Sequence, residues 1–198
     1  MSSRRRGRSG GAALPGDPAV VNVEADPEAV ARSIVLRRLT MAPQTRAQLD
    51  DAMTRKGVPE AVRERILDRF TEVGLIDDAA FSRAWVESRH VGRGLAKRAL
   101  AHELHRRGVD PRVAGEAVDA LPAEREEDTA RALVARRLAG TRRLDPATRT
   151  RRLAAMLARK GYPTGLSFRV VREALASEGV DADELLHSPD HDPPDVAL

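Results

Sequence analysis

The sequence predicts an all-α fold of three tandem three-helix repeats forming an elongated, curved array, and three observations carry that prediction. One pattern occurs three times, as Leu49-x3-Met53-x-Arg55-Lys56-Gly57-Val58, Leu100-x3-Leu104-x-Arg106-Arg107-Gly108-Val109 and Leu153-x3-Leu157-x-Arg159-Lys160-Gly161-Tyr162, with the glycines 51 and 53 residues apart. A fixed period of this size marks stacked supersecondary units rather than one interleaved fold. Apolar residues fall at helical spacing on both sides of each glycine. No run alternates apolar and polar residues with β-branched enrichment, so a sheet is not expected.

The local physics of each copy is the same. Two apolar residues four apart share a helix face, a dibasic pair suits the negative end of the helix dipole, and glycine accepts the left-handed conformation that ends the helix. In the first repeat, Ile34, Val35, Leu36 and Leu39 form an amphipathic helix. Thr45-x-x-Gln48 reads as a capping box opening the second helix. Pro59 then starts a third, carrying Val62, Ile66 and Leu67. In the second repeat, Asp77 and Asp78 can cap a helix bearing Phe81, Ala84 and Trp85. After Gly108, Asp110-Pro111 opens a helix with Val113, Ala117 and Val118. The third repeat runs through Ala130, Leu133, Val134 and Leu138, places the cap Asp145 before Pro146, and resumes at Pro163-Thr164 with Leu166, Val170 and Val171.

The predicted organisation is a basic, glycine-rich disordered tail over residues 1–26, repeats over 27–76, 77–122 and 123–179, and an acidic disordered tail over 180–198. The chain has no cysteine, which removes disulfides, thiolate zinc sites and cysteine nucleophiles together. No apolar run reaches the roughly 18–20 residues of a bilayer span. A cytoplasmic protein without membrane contact is expected.

The net charge of +4 is unevenly distributed. Residues 180–198 hold six acids and no Lys or Arg, residues 1–26 sum to +1, and the segment 27–179 therefore carries +9. From Glu124 to Gly161, 11 basic residues face 5 acidic ones. Such a body suits a polyanionic partner or an acidic groove. The acidic tail is a candidate competitor that folds back on the basic body.

Residues 75–89 read Leu-Ile-Asp-Asp-Ala-Ala-Phe-Ser-Arg-Ala-Trp-Val-Glu-Ser-Arg, followed by Gly92, Gly94 and the Leu100 to Gly108 pattern. With the acidic entry, Phe81 and Trp85 four apart, Arg89 four beyond, and the basic-basic-Gly turn three times over, the chain resembles the RecX family of recombination regulators across about residues 30–178. The resemblance implies a regulator, mainly an inhibitor, of a RecA-type recombinase, lodged in the groove of the RecA–DNA filament and modulating its ATPase, strand exchange and extension in DNA repair and the SOS response. A monomer that needs no cofactor and is not an enzyme is expected.

The residues themselves nominate a partner surface: Arg89, Arg93, Lys97, Arg98, Arg106, Arg107, Arg136, Arg137, Arg142, Arg143, Arg151 and Arg152. Any single pair is more readily a solvated helix face or a dipole partner, and only the clustered set favours binding. Single- or double-stranded DNA is a second candidate partner, as in a helix-turn-helix protein acting directly on DNA. Aromatic residues make up only 3% of the chain, so base stacking is poorly provided for, and Phe81 and Trp85 are expected in the core of the middle repeat.

Chemical motifs are lacking. His102 and His105 flank Glu103 at i and i+3 rather than the i and i+4 of a zinc helix. Gly92-Arg93-Gly94 has neither a preceding strand nor a following Gly-Lys-Ser/Thr, and reads as a flexible joint rather than a phosphate loop. An enzyme remains conceivable only through residues converging from distant positions.

Overall fold

The structure is a computed structural model that describes residues 26–179. The expectations for the two tails lie outside those residues, apart from Asp26. Within them the chain forms α1 (Pro27–Met41), α2 (Arg46–Thr54), α3 (Glu60–Glu72), α4 (Asp78–Arg93), α5 (Lys97–His105), α6 (Pro111–Asp119), α7 (Ala123–Leu138), a 3-10 turn (Ala139–Thr141), α8 (Pro146–Arg159) and α9 (Thr164–Ala176). No strand occurs among the described residues. The helices fall into three triplets, unit 1 (α1–α3), unit 2 (α4–α6) and unit 3 (α7–α9), and the helix pairs that pack most closely all lie within one unit.

Each unit has its own core. Ile34, Val35, Leu49, Met53, Leu67 and Phe70 fill unit 1, while Phe81, Val86, Leu100, Leu104 and Val118 fill unit 2. Leu133, Val134, Leu153, Leu157, Tyr162 and Val171 fill unit 3, joined by Ala96 from unit 2. The equivalent leucines Leu49, Leu100 and Leu153 are all buried. Full burial of each stabilises its unit by roughly 2 kcal/mol relative to exposure.

The three glycines end their helices in one way. Gly57, Gly108 and Gly161 have φ of 75°, 75° and 91°. Each donates its N–H back three residues, and the following Val58, Val109 or Tyr162 donates to the carbonyl five residues earlier. This paired closure is the Schellman motif, and the residue after each glycine is buried to complete it. The N-terminal caps follow the sequence as well: Thr45 and Gln48 form the capping box, and Asp110 and Asp145 accept from N–H groups of α6 and α8. Caps of this kind are worth about 1 kcal/mol each.

Two local expectations change. Asp77 alone caps α4, accepting from the Ala80 N–H, whereas Asp78 accepts from the Arg46 N–H and so caps α2 of the neighbouring unit. Gly92-Arg93-Gly94 is not a flexible joint. α4 continues through Gly92 and Arg93, and Gly94 stops it in the left-handed region at φ 61°, where an added Cβ would press on Leu133 of unit 3 at 3.0–3.3 Å.

The units meet where the glycine turn of one packs on the start of the middle helix of the one before. At the first seam, Gly108 lies against Ala47 and the Thr45 hydroxyl donates to the Arg107 carbonyl at 2.7 Å. At the second, Gly161 lies against Ala99 and the Ala96 N–H donates to the Lys160 carbonyl at 2.9 Å. An acid of the later unit caps the earlier helix at both: Asp78 to the Arg46 N–H and Glu126 to the Lys97 N–H, each at 2.9 Å.

The second seam has four further ties, one of them the exposed pair in which the Arg125 guanidinium donates to the Glu87 carboxylate at 2.6 and 2.9 Å. The Tyr162 hydroxyl donates to the Gly94 carbonyl at 3.2 Å, the Lys160 ammonium donates to the Arg93 carbonyl at 2.6 Å, and buried His90 meets the Thr129 hydroxyl at 2.9 Å. His90 also donates from Nδ1 to the Leu95 carbonyl at 2.9 Å, holding the chain that follows Gly94.

Candidate functional site

α4 and α5 cross so that Trp85, Arg89 and Arg93 on one helix face Glu103, Arg106 and Arg107 at the end of the other, around a cleft of about 460 Å³ that Gln48 of unit 1 completes. Trp85 stacks on buried Phe81 with ring centroids 5.7 Å apart. The expectation that both aromatics belong to the core of the middle repeat holds fully for Phe81, while Trp85 packs against that core at its edge. The indole is half-buried, and its outer part carries the Arg89 guanidinium at 4.0 Å and that of Arg107 at 3.6 Å. Such cation–π contacts are worth about 0.5–2 kcal/mol each.

Glu103 is the lone acid of the cleft, and it is already engaged. It accepts from the Trp85 indole N–H at 2.9 Å and pairs with Arg89 at 3.6 Å. The buried Nε of Arg89 has no hydrogen-bond acceptor. Four arginines around one carboxylate leave a surplus of positive charge. Burial first, then the neighbouring Arg89 guanidinium, lowers the Arg107 pKa from its ordinary value.

A second basic cluster adjoins this cleft across the seam. The Lys160 ammonium, which bonds the Arg93 carbonyl, has its pKa lowered by burial and then by the charges of Arg136 and Arg137. Arg137 in turn lines a pocket of about 410 Å³ with Arg152 and Arg159. From Arg106 and Arg107, through Arg89 and Arg93, to Lys160, Arg136, Arg137, Arg159 and Arg152, the cations form one track across units 2 and 3.

The remaining candidates stand apart from those contacts. Arg142 is bound to Glu178 by two hydrogen bonds of 2.9 and 3.0 Å, and Glu178 also pairs with buried Arg149. Arg98, Arg143 and Arg151 are exposed and have no ion pair within 4.0 Å among the described residues. The Lys97 side chain is half-buried, and it is the backbone of this residue that Glu126 engages.

Sequence reasoning missed Lys160 and Arg159 as members of the track. Both belong to the repeated basic-basic-Gly turn, which was the available signal. It also missed the seam residues Glu126, His90 and Tyr162, whose partners lie 29, 39 and 68 residues away.

The geometry offers recognition rather than a reaction. Among the described residues no group of three or more His, Asp and Glu side chains is arranged to hold a metal ion, and no helix is long and apolar enough to cross a membrane.

Comparison with known proteins follows the three units. Sequence models described as the first, second and third three-helix domains of RecX match residues 31–70, 77–118 and 124–171. The chain is similar to the Regulatory protein RecX of Thermobifida fusca (strain YX), at 55% identity over 179 residues, covering 90% of this chain and 92% of that protein. It is similar to the protein of the same name from Streptomyces lividans, at 57% identity over 160 residues, covering 81% and 85%. The crystal structure of RecX from Lactobacillus salivarius shares the fold at a TM-score of 0.71 and 15% identity, covering 75% of this chain and 97% of that one.

Proposed function

This chain belongs to the RecX family, and from that premise we propose that it regulates a RecA-type recombinase, mainly as an inhibitor, by lying in the groove of the RecA–DNA filament and slowing its ATP turnover, strand exchange and extension. It acts by binding, as a monomer, without a cofactor or chemistry of its own. The observation that carries this reading is the basic track across units 2 and 3. A row of small units offers a long surface, and cations set along it suit a partner whose own surface repeats.

The partner-binding residues under this reading are Arg89, Arg93, Arg106, Arg107, Arg136, Arg137 and Arg152 of the track, with Lys97, Arg98, Arg143 and Arg151 flanking it and Arg142 available once Glu178 releases it. The Trp85 cleft argues against a reader of unpaired bases. Its guanidiniums already occupy the ring, so an incoming base would have to displace them.

The test is the ATPase rate of the cognate RecA on single-stranded DNA with increasing amounts of this protein, beside a titration of bare DNA. Inhibition at concentrations too low to coat bare DNA is expected. No inhibition, together with tight and sequence-dependent DNA binding, would instead assign the protein to the helix-turn-helix class.

A further inference from the structure

We propose that the pocket between α7 and α8 lined by Arg137, Arg152 and Arg159 is a phosphate site that holds the backbone of a nucleic-acid strand. The proposal deepens the filament reading by saying which component of the filament this face meets, and it rests on that reading only for the identity of the strand as filament DNA.

The pocket has about 410 Å³ of space, three guanidiniums, the apolar side chains of Leu153 and Met156, and no acid. None of the three arginines has an ion pair among the described residues, and the acids of unit 3 that face other cations are already committed. Glu178 pairs with Arg142 and Arg149, Glu127 with Arg131 and Arg169, and Glu126 accepts from the Lys97 N–H. The positive charge here therefore has no counterpart within the described fold.

Helix dipoles explain only part of it. Arg137 and Arg159 sit in the last turns of α7 and α8, where a cation is favoured without any ligand. Arg152 lies in the middle of α8, exposed, and has no such reason to join them. Guanidinium forks suit the oxygens of a phosphate, which offers acceptors to several donors at once.

A strand rather than a single anion fits the surroundings, because the cations do not stop at the pocket. Arg136 and Lys160 continue toward Arg93, and their mutual repulsion is what a row of phosphates would relieve. Binding through this track is sequence-independent and salt-dependent, since each neutralised phosphate releases counterions.

The test compares full-length protein with the double variant Arg152→Gln/Arg159→Gln and with Arg55→Gln/Arg69→Gln. The second pair removes the same charge from exposed sites in unit 1, where each arginine is only a surface partner of Asp51 or Glu72. Circular dichroism and melting check that all three fold alike. Binding of a labelled oligothymidylate is followed by anisotropy over a salt series.

The pocket variant is expected to bind on the order of tenfold more weakly at low salt, with the slope of log K against log salt shallower by about 1.4, the value for two lost contacts to a single strand. The unit 1 variant should stay near wild type. Equal losses in both variants, or an unchanged pocket variant, would overturn the assignment. So would release of the strand by far less pyrophosphate than its ionic strength explains, because the pocket would then be built for a free phosphoryl group.

ATPase inhibition is measured on the same samples. A wild-type protein that fails to inhibit sinks the filament reading and leaves the phosphate site standing. A pocket variant that binds the strand normally but no longer inhibits overturns the phosphate site and hands the pocket to a protein carboxylate.

Discussion

The seam between units 1 and 2 and the seam between units 2 and 3 share one plan, but the second adds four side-chain ties to it. In both, a glycine turn sits on the start of the preceding unit's middle helix and an acid from the later unit caps that helix. Only the second adds Tyr162, Lys160, His90 and the Glu87–Arg125 pair. The basic track crosses the second seam, and the extra ties fix the relative position of its two halves. Unit 1 is joined more lightly, which makes the first seam the natural place for the array to bend while the track stays rigid.

The largest expected effect comes from the glycines themselves. Gly161→Ala combines a left-handed backbone with a methyl 2.6 Å from the Ala99 nitrogen and 2.7 Å from its Cβ, so it should cost roughly 3 kcal/mol in urea denaturation. Gly108→Ala meets only the Ala47 side chain closely. Adding Ala47→Gly should therefore recover the steric part of the Gly108→Ala loss, whereas Ala99→Gly should rescue Gly161→Ala little, because the backbone nitrogen remains. Equal rescue at both seams would break the distinction.

The two cross-unit caps should differ next. Glu126→Ala strips the Lys97 N–H of its partner at a helix start that has no cap of its own, and about 1–2 kcal/mol should be lost. Asp78→Ala should cost less. Burial raises the Asp78 pKa above its ordinary value, so the desolvation of its carboxylate offsets part of what its bond to Arg46 contributes. A larger loss at Asp78 would overturn the ranking of the seams.

Tyr162→Phe removes one buried hydroxyl donor and should cost about 1 kcal/mol, read from the same denaturation curves. Burial also pushes the pKa of this hydroxyl up, so it remains protonated and able to donate.

The smallest effect is in the response to acid. Hydrogen bonds from Arg149 and Arg142 lower the Glu178 pKa, so between its folded value and the ordinary 4.5 the unfolded chain binds more protons and unit 3 loses stability as pH falls. Asp78 has the opposite shift. Between the ordinary 3.8 and its raised folded value the folded state binds the proton more readily, and the first seam gains as pH falls through that window. Opening free energies from unit-resolved amide exchange, corrected for the intrinsic rate at each pH, should therefore fall in unit 3 before they do at the first seam between neutral pH and just below 4.5.

What the sequence made legible was the part governed by contacts within a few residues. The apolar spacing, the capping box at Thr45 and the turns at Gly57, Gly108 and Gly161 are all set by neighbours one or two helical turns away. Asp78 was misassigned because its partner, Arg46, belongs to another unit, and nothing adjacent in sequence distinguishes it from Asp77. Trp85 looked like core because it shares a face with Phe81. That the ring reaches the edge of the bundle depends on Arg107, which arrives from a different helix. The site was legible as clustered arginines but not as a track, since only the fold separates cations that meet carboxylates, such as Arg142, from those that do not.

One turn of helix has a consequence for the whole array. Thr45, Ala96 and Arg149 occupy the same place, 12 residues before the glycine. In units 1 and 2 that place opens the middle helix and receives the next unit. In unit 3 the helix begins earlier, at Pro146, and Arg149 is buried against Thr141, 3.1 Å away, and Glu178. At this place in unit 3 the side chain is thus turned onto residues of its own unit. One position of the repeat therefore serves two ends: it joins units where it opens a helix, and it braces a single unit where the helix has already begun.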